Sequence, residues 1–100
     1  MPEVCLTLLC PPAVEEKLLD TLLMLSQALV FTSTPTAAHG LAIGVLSQAE
    51  QVMGRAEATQ VQVILCVKDT DQLLAELREQ LAGAGLRYWL TPVVEAGDIP

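Results

Sequence analysis

Apolar positions along this chain switch between a two-residue and a helical period, and the switches mark six elements. Residues 4–10 (VCLTLLC) form a continuous aliphatic and β-branched run, the pattern of a central strand covered on both faces. Pro11 and Pro12 stop it, and Pro12 suits the first turn of a helix, where a missing N–H costs little. Val14, Leu18, Leu22 and Leu25 then recur at helical spacing, with Leu19 and Leu23 widening the stripe. Glu15 and Glu16 fall in the first turn, where the helix dipole favours negative charge, so the pattern predicts a helix to about Ser26. Residues 29–36 (LVFTSTPT) are β-rich and end around Pro35, which predicts a second strand near a sheet edge. In residues 59–68 (TQVQVILCVK), Val61, Val63, Leu65 and Val67 share one face while Gln60, Gln62, Ile64 and Cys66 share the other, which predicts a third strand. Asp69 or Thr70 offers a side-chain cap for a second helix carrying Leu73, Leu74, Leu77 and Leu81 and ended by Gly83 and Gly85. Residues 86–94 (LRYWLTPVV) predict a fourth strand, broken or bent at Pro92, and residues 95–100 are expected to be loose or packed on a neighbour.

The resulting order, β-α-β-β-α-β, predicts an α+β fold in a single domain over residues 1–100. It is a ferredoxin-like sandwich, with a four-stranded antiparallel sheet and both helices on one face. The other sheet face has no helix to cover it and is largely apolar or neutral, so another subunit is its natural cover. The longest connection is residues 39–55 (HGLAIGVLSQAEQVMGR), which carries the only histidine and one of five basic residues. Compact domains seldom keep so long a connection unless it binds, switches or is disordered.

Composition sharpens this picture. One hundred residues bury roughly two-thirds of the surface their unfolded chain exposes, enough for one core. Hydrophobic residues make up 52% of the chain and charged residues only 17%, against a usual charged share of about 25%. So few charges leave an apolar face for a second copy, and a homo-oligomer is expected. The net charge is −7 and the bases are scattered, which argues against nucleic acid and against anionic membrane surfaces. No apolar run reaches the ~20 residues needed to span a bilayer. The opening MPEVCLTLLCPP lacks a positive n-region, so no secretion signal is read there. Three cysteines without a CxxC arrangement fit a reducing compartment, and a cytoplasmic location is expected.

Several segments together resemble a known family. Phe31-Thr32-Ser33, His39-Gly40, the run Ala49-Glu50-Gln51-Val52-Met53-Gly54-Arg55 with the strand after it, and Tyr88-Trp89 through Pro92-Val93 look like those of the PII-like superfamily of trimeric signalling proteins. More closely, the chain is similar to a short branch of PII-like proteins found beside heavy-metal efflux systems. The resemblance covers nearly the whole chain. It implies that residues 38–58 are the T-loop, the arm with which PII proteins contact partners. It also implies a homotrimer whose sheets line a central barrel, with ligand clefts between subunits. Two features depart from PII proteins proper, which bind ATP phosphates through a Gly- and Lys-containing loop before the last strand and a pair of arginines after it. Here that connection is Gly83-Ala84-Gly85, and residues 94–100 hold no Arg or Lys, so a triphosphate would be poorly neutralised. Residues 38–58 also contain no tyrosine to accept a nucleotidyl group.

The candidate chemistry centres on the long connection. His39 could ligate a metal or hydrogen-bond a ligand while Gly40 lets the backbone approach; the plainer reading is a solvated histidine beside a turn glycine. Ser47 with Glu50 matches a capping box, and Glu50 with Arg55 could contact a ligand or partner across a subunit boundary or simply form a shape-fixing salt bridge. Gln51 and Gly54 belong to the same segment, Gly54 supplying a turn before the third strand. A metal held by His39 and Glu50 is one candidate. Cys5, Cys10 and Cys66 are softer candidates, but Cys5 and Cys10 lie an odd number of residues apart and face opposite sides of one strand. Tyr88 and Trp89 also point to opposite faces, one to the core and one, with Pro92, to an intersubunit contact. No nucleophile elbow, HExxH, P-loop or second histidine supports an enzyme. The expectation is a non-catalytic regulator that senses a small ligand or metal ion and controls a membrane transporter through the T-loop. An adenine-nucleotide or small-anion sensor and a soft-metal chaperone are the alternatives.

Overall fold

The structure, a computed structural model, describes residues 2–25, 30–40 and 55–100. Its elements are β1 (Glu3–Cys10), α1 (Glu15–Leu25), β2 (Phe31–His39), β3 (Arg55–Cys66), α2 (Thr70–Gln80) and β4 (Arg87–Val93). Each helix is entered through a 3-10 turn, Pro12–Val14 before α1 and Val67–Asp69 before α2. The sheet order is β2-β3-β1-β4 with every neighbour antiparallel, so the expected ferredoxin-like α+β sandwich is the fold.

Strand alternation decides which side of the sheet each residue serves. Leu6, Leu8 and Cys10 of β1 stand opposite Val63, Val61 and Thr59 of β3, and all six are buried. Leu18 and Leu22 of α1 and Leu73, Leu74 and Leu77 of α2 complete this core. A fully buried leucine or valine contributes about 1.5–3 kcal/mol relative to an exposed one, which explains why the helices lie here. The opposite side carries Cys5, Thr7 and Leu9, Gln60, Gln62 and Ile64, Thr32 and Thr34, and Arg87, Trp89 and Thr91. No helix among the described residues covers it. Thr7, at 2% exposure, is its one closely covered position on β1, and Gln62 donates a hydrogen bond to the Thr7 hydroxyl at 3.4 Å. The reading of β1 as a central strand therefore holds, whereas helices cover only one of its two sides.

Four sequence expectations need correction. The second strand does not end at Thr36 but runs through Pro35 to His39, and the third begins at Arg55 rather than Thr59. Residues 38, 39 and 55–58 are therefore ladder, not loop, pairing Ala38 with Ala56 and His39 with Arg55. Pro92 neither breaks nor ends β4; it pairs with Val4 inside the strand. Both prolines are tolerated because β2 and β4 are edge strands, where a residue without an N–H can turn its ring nitrogen away from the neighbour. Finally, no side chain caps α2: Asp69 has φ −92° and ψ −6°, inside the preceding 3-10 turn, and not the extended backbone a capping residue adopts. No helix among the described residues is long and apolar enough to cross a membrane.

Candidate functional site

The β2–β3 ladder continues past the helix layer as a two-stranded arm, and its base carries the chemistry. Alternation puts Ala37, His39 and Glu57 on the helix-facing side and Ala38, Ala56 and Ala58 on the other. Ala38, Ala56 and Ala58 are buried, while His39 is exposed at the last paired position before Gly40. Gly40 takes φ +77°, a backbone that L side chains rarely adopt, so a glycine marks where the strand leaves the ladder. The structure thus sets His39 directly opposite Arg55 across the ladder, two candidates that lie sixteen positions apart in sequence. Glu50, Gln51, Gly54 and the Ser47–Glu50 capping box lie outside the described residues, and of Arg55 only the backbone is described.

Two grooves flank this base. On the helix-facing side, a groove of about 540 Å³ runs between Pro12 and Glu15 at the start of α1 and Pro35, Ala37, Glu57 and Thr59 of the arm. The Thr59 hydroxyl donates to Glu15 Oε1, tying the first turn of α1 to β3. On the other side, a smaller groove of about 130 Å³ is bounded by Leu9 and Pro11, by Ala38, Ala56 and Ala58, and by Gly85 and Arg87. Gly85 has φ +78°, and a Cβ there would meet Pro11 Cγ at 4.0 Å, so the α2–β4 turn closes the end of this groove against the β1–α1 turn. Arg87 is the only cation lining either groove among the described residues. Glu57 borders both.

Cys10 is buried, at 1% exposure, and lines the bottom of the smaller groove. Burial pushes its thiol pKa up, the Glu15 carboxylate pushes the same way, and a backbone hydrogen bond at Thr59 opposes them. The unfolded chain therefore ionises this thiol first, in the ordinary range of a free thiol. The neutral thiol costs no stability below that range, and stability falls as pH rises above it because the unfolded state then binds fewer protons. Urea titrations at pH 7 and pH 9.5 are expected to show this loss, and Cys10→Ala to flatten the pH dependence whatever it does to absolute stability. A pH slope unchanged in Cys10→Ala would show that the thiol does not carry the effect.

The other cysteines sit differently from what separate strand positions suggest. Cys5 pairs with Ile64 and Glu3 pairs with Cys66, so Glu3, Cys5 and Cys66 share one end of the uncovered side as direct or diagonal neighbours. Cys5 and Cys10 face opposite sides, as their spacing predicts. Among the described residues no three His, Cys, Asp or Glu side chains come together as a metal-binding group, so a His39 metal would need Glu50 or a second copy. Tyr88 and Trp89 also take opposite sides: Tyr88 accepts a hydrogen bond from Arg78 on the helix side, and Trp89 stands opposite Thr7 on the uncovered side. The linear sequence does not single out Glu15, Glu57, Gly85 or Arg87 as site residues. The alternation Ala56-Glu57-Ala58-Thr59, continuous with the strand after it, was the signal for the arm.

The chain matches over residues 1–100 the family described as "Protein of unknown function (DUF3240)" and belongs to it. No curated protein matches its sequence. Among solved structures it is similar to a DUF3240 family protein from Shewanella baltica OS155, with 19% identity, coverage of 98% of this chain and 97% of that one, and a TM-score of 0.80. It is also similar to CPII, a nitrogen regulatory PII-like protein from Thiomonas intermedia K12 bound to ADP, AMP and bicarbonate (13% identity, 99% and 98% covered, TM-score 0.71). The periplasmic divalent cation tolerance protein CutA from Archaeoglobus fulgidus shares the fold as well (12% identity, 94% and 86% covered, TM-score 0.70). These structures share its four-stranded, two-helix ferredoxin-like fold.

Proposed function

We propose that this protein is a non-enzymatic PII-like regulator that assembles as a cytoplasmic homotrimer. In this reading it takes a small ligand or metal ion into clefts between subunits and controls a partner through its T-loop. The observation that supports the reading is the arm base, where the register pairs His39 with Arg55 one step beyond the residues that line the two grooves. A ligand held there by one copy and covered by the next would set the conformation of residues 41–54, an order–disorder type of switch. Tyr88, Trp89 and Pro92 lie on the edge strand that a neighbouring copy would cover. The partner suggested by the resemblance is a heavy-metal efflux transporter, and the name of the Archaeoglobus relative, a divalent cation tolerance protein, is in keeping with a metal signal.

A second reading, an adenine-nucleotide or small-anion sensor, is favoured by Arg87 in the smaller groove and by the ADP, AMP and bicarbonate bound to the Thiomonas protein. One arginine suits a monophosphate or bicarbonate better than a triphosphate. A soft-metal chaperone would instead use Cys5 and Cys66. Calorimetry with copper, zinc, AMP, ADP, ATP and bicarbonate separates the three. Metal binding lost at least tenfold in His39→Ala supports the metal sensor, and binding lost only in Cys5→Ser/Cys66→Ser supports the chaperone. Anion binding lost in Arg87→Ala supports the second reading. Silence toward all six at millimolar concentration overturns sensing at this site.

A further inference from the structure

We infer that residues 94–100 of one copy dock on a second copy, placing Ile99 in the groove between α2 and β4 and Asp98 on Arg78. This rests on the assembly proposed above and adds a defined contact to it. The groove has a volume of about 260 Å³ and is floored by Leu8, Leu74, Leu77 and Leu81, with Arg78 and Tyr88 at its rim. Its apolar floor and small volume suit one or two side chains of a peptide. Among the described residues, Arg78 is the only charged one lining it. Its guanidinium lies 5.9 Å from the centre of the Tyr88 ring and donates to the Tyr88 hydroxyl at 3.2 Å. That bond uses one of five guanidinium donors and fixes the rest for a carboxylate.

Residues 94–100 have the matching chemistry. They carry two acids, Glu95 and Asp98, no base, and two aliphatic side chains, Val94 and Ile99. All seven residues are exposed, Val94 at 103% and Ile99 at 100%, with no regular structure beyond the bend at Val94. The groove lies at the Arg87 end of β4, whereas the segment leaves from the Val93 end, about 20 Å away along a seven-residue strand. To fill its own groove the segment would have to double back along the β4 edge, and it does not. Because groove and segment are different surfaces, pairing them head-to-tail between copies builds a ring where the rotation from copy to copy closes.

Disulfide-scale crosslinking tests this in full-length protein carrying Cys5→Ser and Cys66→Ser. Protein with Ile99→Cys is mixed with protein carrying Ala82→Cys, an exposed groove position, and treated with a short bismaleimide. A two-chain adduct between the two proteins is expected, reduced at least fivefold by Arg78→Glu on the groove side and recovered by Asp98→Arg on the other. Assembled protein by native mass spectrometry without the adduct overturns this contact and leaves the proposed assembly standing. An adduct formed only within single chains of the Ile99→Cys/Ala82→Cys double variant overturns it in favour of the protein's own groove. Native-sequence protein found as single chains removes both.

Discussion

Replacing Trp89 by glutamate will leave single folded chains if native copies assemble, as proposed, through the uncovered side of the sheet. Trp89 stands on the uncovered side of the sheet, opposite Thr7, and 41% of it remains exposed within one chain. Covering the roughly 100 Å² still open on such a ring contributes about 2.5 kcal/mol per copy at ~25 cal/mol per Å². Taking the new carboxylate out of water costs several kcal/mol more. Together these weaken association by about a thousandfold or more, since every 1.4 kcal/mol is a factor of ten. Native mass spectrometry and sedimentation at micromolar concentration will read the change, with circular dichroism confirming that the chains stay folded. Met24→Glu, on the exposed face of α1, serves as the control and should leave the assembly intact. Trp89→Glu protein that sediments like the native sequence would show that this side of the sheet is not where copies meet.

The same sheet shows why some features could be read from the sequence and others could not. The core was legible because Val61 and Val63 alternate with Gln60 and Gln62 and Leu18 and Leu22 recur at helical spacing, each a strong apolar signal. The arm was not, because its inward positions are Ala38, Ala56 and Ala58, which are small enough to be buried without standing out as apolar. Pro35 and Pro92 read as stops on a linear scan, yet on edge strands they are ordinary members of the ladder. The fold order survived these errors because it depends on the number and type of elements and not on where each ends. The site itself needed the third dimension. His39 and Arg55 are joined by register, Gly85 and Pro11 by the meeting of two turns, and Arg78 and Tyr88 by the packing of α2 against β4.

Register alone also separates two neighbouring positions of α1 in their energetic weight. Leu22 is fully buried between the sheet and α2, whereas Met24, two residues on, is 87% exposed. Leu22→Ala will remove a side chain from a closed core and leave a cavity, at a cost of about 2–5 kcal/mol. Met24→Ala will stay within about 0.5 kcal/mol of the native sequence. Each kcal/mol shifts the midpoint of a domain this size by about 4–8 °C, so Leu22→Ala should melt at least about 8 °C lower. If copies assemble, part of the measured stability belongs to the assembly and rises with protein concentration. Melts at two concentrations a hundredfold apart will separate the terms: the Leu22→Ala deficit persists at both, while the midpoint of every variant that still assembles climbs together. A Leu22→Ala protein as stable as the native sequence at the lower concentration would mean that α1 is not seated on the sheet as described, and the groove bounded by Glu15 would lose its wall.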